Sequence, residues 1–340
     1  MSNNINVGIV STGVYLPDNV LTAEEIAAST NGVWSADAVK AKLGIIEKRM
    51  PGQDDGTQEM GVKAALKAIE KAGIDPMEID LILSIGEEWK EYPLTTTGIY
   101  IQEQVGARNA WAIDLQQRCC TTISAMKMAK DMMIADDDIN TVLIAGGYRN
   151  GDFVDFTDKS MSMMYNLAAG AGAMILKKNY GKNLVLGSHI ISDGSMARDA
   201  LVKFGGTEQP ITAENCNVAY KSLTLANEEH MKNRLNEVSM DNWMTCINKA
   251  FEKSGLDKSE LGYLAVLHFK YSMYKYMLEL LGLTEEQSVY LNKIGHVGQI
   301  DQIISLEIGL TQNKIQDGTI IAMIAAGIGY AWAANVIRWG

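Results

Sequence analysis

Cysteine and histidine are scarce in this chain of 340 residues, with four of each. Cys119, Cys120, Cys216 and Cys246 include no pair at metal-site spacing, and adjacent cysteines rarely bond to each other. Neither a disulfide framework nor a metal centre is expected. Net positive charge is lacking as well: the formal charge is −11 and the pI is near 4.9. Nucleic-acid binding needs a basic surface, so it is excluded as a function class. Acidity of this size serves solubility. The first residues carry no secretory pattern, which makes a reducing cytoplasm the expected location. Only Ile320 to Ile337 is long and uncharged enough to pass for a membrane span. Gly327-Ile-Gly329 interrupts it, so it reads as two buried strands joined by a tight turn.

What is present is ordinary globular material, 47% hydrophobic and 21% charged. Strand and helix patterns alternate. Strands are expected at Leu81–Ile85, Trp111–Leu115, Thr141–Ala145, Ala169–Leu176 and Leu184–Ile191, with helices over 58–72, 95–105 and 121–135. The alternation indicates an α/β class. Residues 67–80 and 249–262 match at seven of fourteen positions, at a constant offset of 182. Each copy is a helix end, a glycine cap, a short turn and a buried strand, so the chain reads as two similar halves. The boundary is expected near residue 178, giving an N-terminal half over 1–178 and a C-terminal half over 179–340.

Ala112-Ile-Asp-Leu-Gln-Gln-Arg-Cys119-Cys120 carries the clearest chemical signal. An apolar strand stops at two thiols and a helical pattern follows at once. A sulfur near the positive end of a helix favours the thiolate, the nucleophilic form. Cys119 and Cys120 compete for the role of nucleophile; Cys119 is at the first turn after the strand, and Cys120 could point into the core. A thiol nucleophile needs a base and polarising donors. Two histidines fit that need: His268 follows the apolar run Leu264–Leu267, at a strand end. His296 lies between glycines in Lys293-Ile-Gly-His-Val-Gly298. A histidine after a core strand is often structural, so each alone is a weak signal. Ala168-Ala-Gly-Ala-Gly-Ala173 and Gly327-Ile-Gly329 match dinucleotide fingerprints only superficially; close backbone packing explains both. Gly329 could also present an N–H to an oxyanion. Met161-Ser-Met163-Met164 suits either a core or a pocket for a flexible acyl chain.

Taken together these motifs resemble β-ketoacyl-acyl-carrier-protein synthase III and its relatives in the thiolase superfamily. The resemblance runs nearly end to end. It includes Val7-Gly-Ile-Val-Ser-Thr-Gly-Val-Tyr-Leu-Pro17, Leu43-Gly-Ile-Ile-Glu-Lys-Arg49, Asp114 with Cys119, Ser192-Asp-Gly-Ser195 and Gly327-Ile-Gly-Tyr-Ala-Trp332. It implies the thiolase fold, with duplicated βαβαβαββ halves in a five-layer αβαβα arrangement. It places the nucleophile on Cys119, the catalytic histidine on His268 and the oxyanion hole on the amides of Cys119 and Gly329. Tyr92 matches an aromatic that reaches across a homodimer interface in relatives. The substrate implied is an acyl-coenzyme A or acyl-carrier-protein thioester, with no permanently bound cofactor and no metal.

The departures point to a specialised enzyme of secondary metabolism. The family's catalytic asparagine falls on His296. The residues before the nucleophile are Gln116, Gln117 and Arg118 in place of small ones. His268 is followed by Phe269-Lys-Tyr271. The coenzyme-stacking tryptophan and its nearby arginine correspond to Ala38 and Lys42. Arg118 could meet a polar or carboxylate group on the acyl substrate, or pair with a protein carboxylate. The expected reaction is formation of an acyl-Cys119 enzyme followed by decarboxylative condensation with a malonyl-type thioester. The alternatives are transfer to an amine, alcohol or water, or service as the partner subunit of a heteromeric synthase.

Overall fold

A computed structural model describes residues 5–340. Thirteen strands are described: β1 (Val7–Tyr15), β2 (Val20–Thr22), β3 (Glu47–Arg49), β4 (Leu81–Ser84), β5 (Trp111–Asp114), β6 (Thr141–Tyr148), β7 (Gly170–Lys178), β8 (Leu184–Ser192), β9 (Ala200–Val202), β10 (Leu223–Leu225), β11 (Leu261–Val266), β12 (Ile320–Gly327) and β13 (Ala331–Arg338). The α-helices are α1 (Ala23–Ser29), α2 (Ala36–Ala38), α3 (Thr57–Ala72), α4 (Thr97–Val105), α5 (Thr121–Ala135), α6 (Cys216–Ala219), α7 (Glu228–Ser254), α8 (Tyr271–Leu280) and α9 (Asp301–Thr311).

Nine strands form one hydrogen-bonded array in the order β11-β12-β13-β8-β1-β7-β6-β4-β5. It is two copies of one pattern, joined where Gly8 of β1 meets Leu184 of β8. In the first copy β1 pairs antiparallel with β7, β7 antiparallel with β6, and β6 parallel with β4. In the second, β8 pairs antiparallel with β13, β13 antiparallel with β12, and β12 parallel with β11. The β5 position is reduced in the second copy to one parallel bridge, Leu264 to Ser288.

The repeat in the sequence is repeated in the caps. Helices α3 and α7 both end on a left-handed glycine, Gly73 at φ 63° and Gly255 at φ 65°. Each is followed by a 3-10 turn with a reciprocal capping box, Asp75 with Glu78 and Asp257 with Glu260, and then by β4 or β11. Helix α3 covers β1, β6 and β7 from outside, and α7 covers β8 and β13. Helices α5 and α9 each touch strands of both copies, so they form the middle of five layers. Their buried apolar side chains belong to the main apolar core. No helix among the described residues is long and apolar enough to cross a membrane.

Helix α5 has the expected bounds, and Ile320–Ile337 forms the paired strands β12 and β13. The other strand and helix boundaries agree with expectation within two residues, and one differs by more. Strand β6 was expected to stop at Ala145 but continues through Gly146 and Gly147 to Tyr148. These glycines are there for close approach: a Cβ would lie 2.4 Å from Gly86 N at Gly146 and 2.2 Å from Thr57 O at Gly147. They let α3 and β4 press on the strand instead of ending it.

Candidate active site

Cys119 lies where β5 hands over to α5. Asp114, the last residue of β5, accepts from the amides of Thr97 (2.9 Å) and Gly98 (2.8 Å), anchoring the first turn of α4. The chain then makes a 3-10 turn over Arg118–Cys120, with Arg118 at φ 51°. That left-handed backbone costs a non-glycine residue about 1–2 kcal/mol. Thr121 locks the turn, accepting from Gln117 N at 2.8 Å and donating to Arg118 O at 2.6 Å. Cys119 is 9% exposed, whereas Cys120 is fully buried with its sulfur toward Ala331 O at 3.4 Å. Burial pushes the Cys120 thiol well above its ordinary range. The two adjacent thiols therefore have different fates, and Cys119 alone faces chemistry.

Its partner is His296. Cys119 Sγ and His296 Nε2 are 3.2 Å apart, and His296 Nδ1 is 2.6 Å from Asp301 Oδ2. A carboxylate only accepts, so Nδ1 carries a proton and Nε2 is the atom that exchanges a proton with sulfur. Asp301 is wholly buried at the start of α9. It also accepts from His268 N (2.7 Å) and Val297 N (2.7 Å). Burial works against a charged His296, but Asp301 and Cys119 beside it outweigh that and hold the imidazole well above its ordinary value. The histidine loop bends at Gly295 (φ 86°) and Gly298 (φ 58°). A Cβ at Gly298 would lie 2.4 Å from the Tyr148 ring, which stands 6.2 Å from the His296 ring.

His268, expected as the catalytic histidine, lies two residues past β11 and its contacts lead away from the thiol. Among the described residues no hydrogen bond joins it to Cys119. Its Nε2 is 3.1 Å from Leu43 O, its Nδ1 has no protein partner, and its ring lies tilted by 32° against Tyr290 at 4.9 Å. Burial pushes its pKa down to about 4. It is a neutral ring whose N–H is directed at a main-chain carbonyl. The ring at the nucleophile is His296.

The glycine turn between β12 and β13 lies against the nucleophile: a Cβ at Gly327 would sit 3.1 Å from Cys119 N. Gly329 follows at φ 117°, with open space around its Cβ position. Asp193 and Tyr330 exchange main-chain hydrogen bonds (2.9 and 3.2 Å), which tie this turn to Ser192-Asp-Gly-Ser195. The Asp193 side chain accepts from Ser195 and from Arg234 Nε, and these bonds lower its pKa to about 2.

Two profiles of known families match the sequence, 3-oxoacyl-[acyl-carrier-protein] synthase III over residues 113–194 and its C-terminal part over 251–339, together half of the chain. This chain belongs to the synthase III family of acyl-transferring enzymes. A beta-ketoacyl-[acyl-carrier-protein] synthase III of Aquifex aeolicus is 26% identical over 97% of this chain and 99% of its own. The synthase III 1 of Bacillus cereus is 26% identical over 99% of this chain and 100% of its own. The Aquifex aeolicus synthase III crystal structure superposes with a TM-score of 0.83 at 23% identity, covering 98% of this chain and 100% of that one. The likeness establishes the thiolase fold for both copies of the sheet.

Among the described residues, the side chains at the other expected site positions of this synthase III-like enzyme make no hydrogen bond to Cys119, His296 or Asp301. The Arg118 guanidinium pairs with protein carboxylates, Glu87 at 2.8 Å and Glu88 at 3.1 Å, the second of the two expectations for it. Glu87 is buried three residues past the end of β4. Met161 and Met164 are buried in the main core and Met163 is 38% exposed. Tyr92 is 69% exposed on the segment between β4 and α4. Among the described residues no cluster of three or more His, Cys, Asp or Glu could hold a metal.

Two residues of the site were missed in the sequence. Asp301 stands five residues after His296 at the head of an apolar helix, a position that reads as an ordinary helix cap. Glu87 lies in Gly86-Glu-Glu-Trp, which reads as a solvated loop.

Proposed function

We propose that this enzyme moves an acyl group from a thioester to a protic acceptor by way of Cys119, with His296 as general base and Asp301 as its orienting group. The continuous contact from Sγ through Nε2 and Nδ1 to the Asp301 carboxylate carries this reading. His296 removes the Cys119 proton, and sulfur attacks the acyl carbon. The new C–S bond replaces the bond to the carrier, which leaves as a thiol with the proton from His296. In the second half an amine, alcohol or water gives its proton to Nε2, bonds to the acyl carbon and expels the Cys119 thiolate. The amides of Cys119 and Gly329 are proposed to hold the oxyanion in both halves. The donor is an acyl-coenzyme A or acyl-carrier-protein thioester, and no permanent cofactor takes part.

Decarboxylative condensation is the second reading, favoured by the names of the relatives. An enolate needs N–H donors. Here the Nδ1 proton of His296 is directed at Asp301 and the Nε2 proton of His268 at Leu43 O. Both directions favour proton removal over enolate binding, which reverses the order of preference drawn from the sequence. The unbroken contact of Cys119, His296 and Asp301 also weighs against a non-catalytic partner subunit. The deciding experiment loads the enzyme from a panel of acyl thioesters and follows the acyl-Cys119 mass. Malonyl thioester is then offered beside amines and alcohols. Transfer to a heteroatom without carbon dioxide release is expected; stoichiometric carbon dioxide with a β-keto product would establish condensation instead.

We further propose a cytoplasmic homodimer. Strand β5 is the outer strand of its half, with Trp111 and Ile113 exposed along it and Tyr92, Leu94 and Ile99 exposed nearby in sequence. An uncovered apolar sheet edge suits pairing with a second copy.

A further inference from the structure

The His296 main chain is held from both sides by one short segment. His296 N donates to Asn166 O at 2.9 Å, and Ala168 N donates to His296 O at 2.9 Å. The carbonyls that alternate with these contacts, those of Tyr165 and Leu167, both turn to Lys48, whose Nζ donates to them at 2.8 and 2.6 Å. Lys48 is fully buried on β3, and its Nζ lies 4.9 Å from the centre of the Phe156 ring. The main chain of β3 holds the same two segments: Arg49 N donates to Ile294 O at 2.8 Å, and Ala169 N to Arg49 O at 3.0 Å. A Cβ at Gly295 would lie 2.7 Å from Lys48 Cβ, so the lysine stem also lies directly under the residue before His296.

We infer that Lys48 is a positioning residue for His296, its amine fixing the Tyr165–Asn166 and Leu167–Ala168 peptide planes so that the imidazole is aimed at the Cys119 sulfur. A buried ammonium without a carboxylate in contact is unfavourable, and burial lowers the Lys48 pKa to about 7. A methionine of the same reach would avoid that cost in an apolar wall, but it would leave two carbonyls unpaired and the segment free to shift. The lysine therefore does what an apolar side chain cannot. It acts at a distance from the reacting atoms, through the main chain of 165–168.

The inference rests on His296 serving Cys119, and the test separates the two. The readout is the rate of Cys119 alkylation by iodoacetamide across neutral pH, followed by intact mass. His296→Asn tests the underlying reading: it fails if that variant keeps the parent's rate and pH profile. Given a slower His296→Asn, the expected result for Lys48→Met is a folded protein alkylated about 10- to 100-fold more slowly at neutral pH, as for a catalytic group misplaced by about an ångström. Lys48→Arg keeps the charge and the donors and is expected to recover most of the rate. A folded Lys48→Met with the parent's rate and profile overturns the inference, whatever its melting temperature. Should that variant not fold, Lys48→Gln is judged by the same criterion, since it keeps two N–H donors on a shorter reach. It is expected to be slowed, and a parent-like profile overturns the inference equally.

Discussion

At Asp301 three donors converge on one carboxylate with no exposed surface: the imidazole of His296 and the amides of His268 and Val297. The carboxylate fixes the ring's tautomer and its direction together. Asp301→Asn is expected to lower acyl transfer about a thousandfold while the protein stays folded, because an amide cannot hold the same proton pattern; steady-state kinetics on the best thioester checks this. His268 carries a different prediction. Its folded pKa of about 4 lies below the unfolded value of 6.5, so the unfolded chain binds the extra proton first as pH falls. Stability from this group is complete above 6.5 and is lost as pH drops toward 4, by about 3 kcal/mol over the window. Melting temperatures from neutral to acid pH should fall steeply in the parent and less steeply in His268→Gln. Equal slopes would remove His268 as the cause.

Between the elements, turns do the positioning. Gly73 and Gly255 end equivalent helices in the left-handed region with open space around them. Alanine at either should cost about 1–2 kcal/mol, nearly equally, by chemical denaturation. Gly327 is different in kind. A methyl there meets main-chain atoms, Gln117 O at 2.9 Å and Cys119 N at 3.1 Å. Gly327→Ala should therefore displace the nucleophile and cut acylation of Cys119 more than it cuts stability, as read by acyl-enzyme mass against the melting curve. A variant with normal acylation would show that the turn tolerates movement. The elements themselves were largely legible: helix α5 and the β12–β13 pair follow from unbroken local patterns. Strand β6 runs three residues beyond the expected Ala145, because neighbouring main chain requires Gly146 and Gly147 inside the strand, a contact that local pattern does not show.

Over the whole molecule, duplication sets where function can be. Two copies of one strand order meet at β1 and β8, and α5 and α9 fill the space between them. The proposed nucleophile lies in the turn before α5 and its proposed base in the loop before α9, so the candidate site lies between the two copies. The opposite end of the first copy exposes Trp111 and Ile113 on the outer strand β5. Trp111→Lys with Ile113→Lys is expected to convert a dimer into a monomer in light scattering while the circular dichroism of the fold persists. A monomeric parent would end the dimer proposal.

The order of residues determined what is local: the thiol between strand and helix, the paired helix ends 182 residues apart, the glycine turn near the C-terminus and the family likeness. Tertiary structure decided which histidine serves the thiol, since His296 lies 177 residues from Cys119 and its ring direction depends on Asp301. It also decided that Arg118 is held by Glu87 and Glu88. Periodicity and caps are written in neighbours along the chain, whereas a hydrogen bond between side chains depends on how distant segments pack, and no spacing in the sequence encodes that.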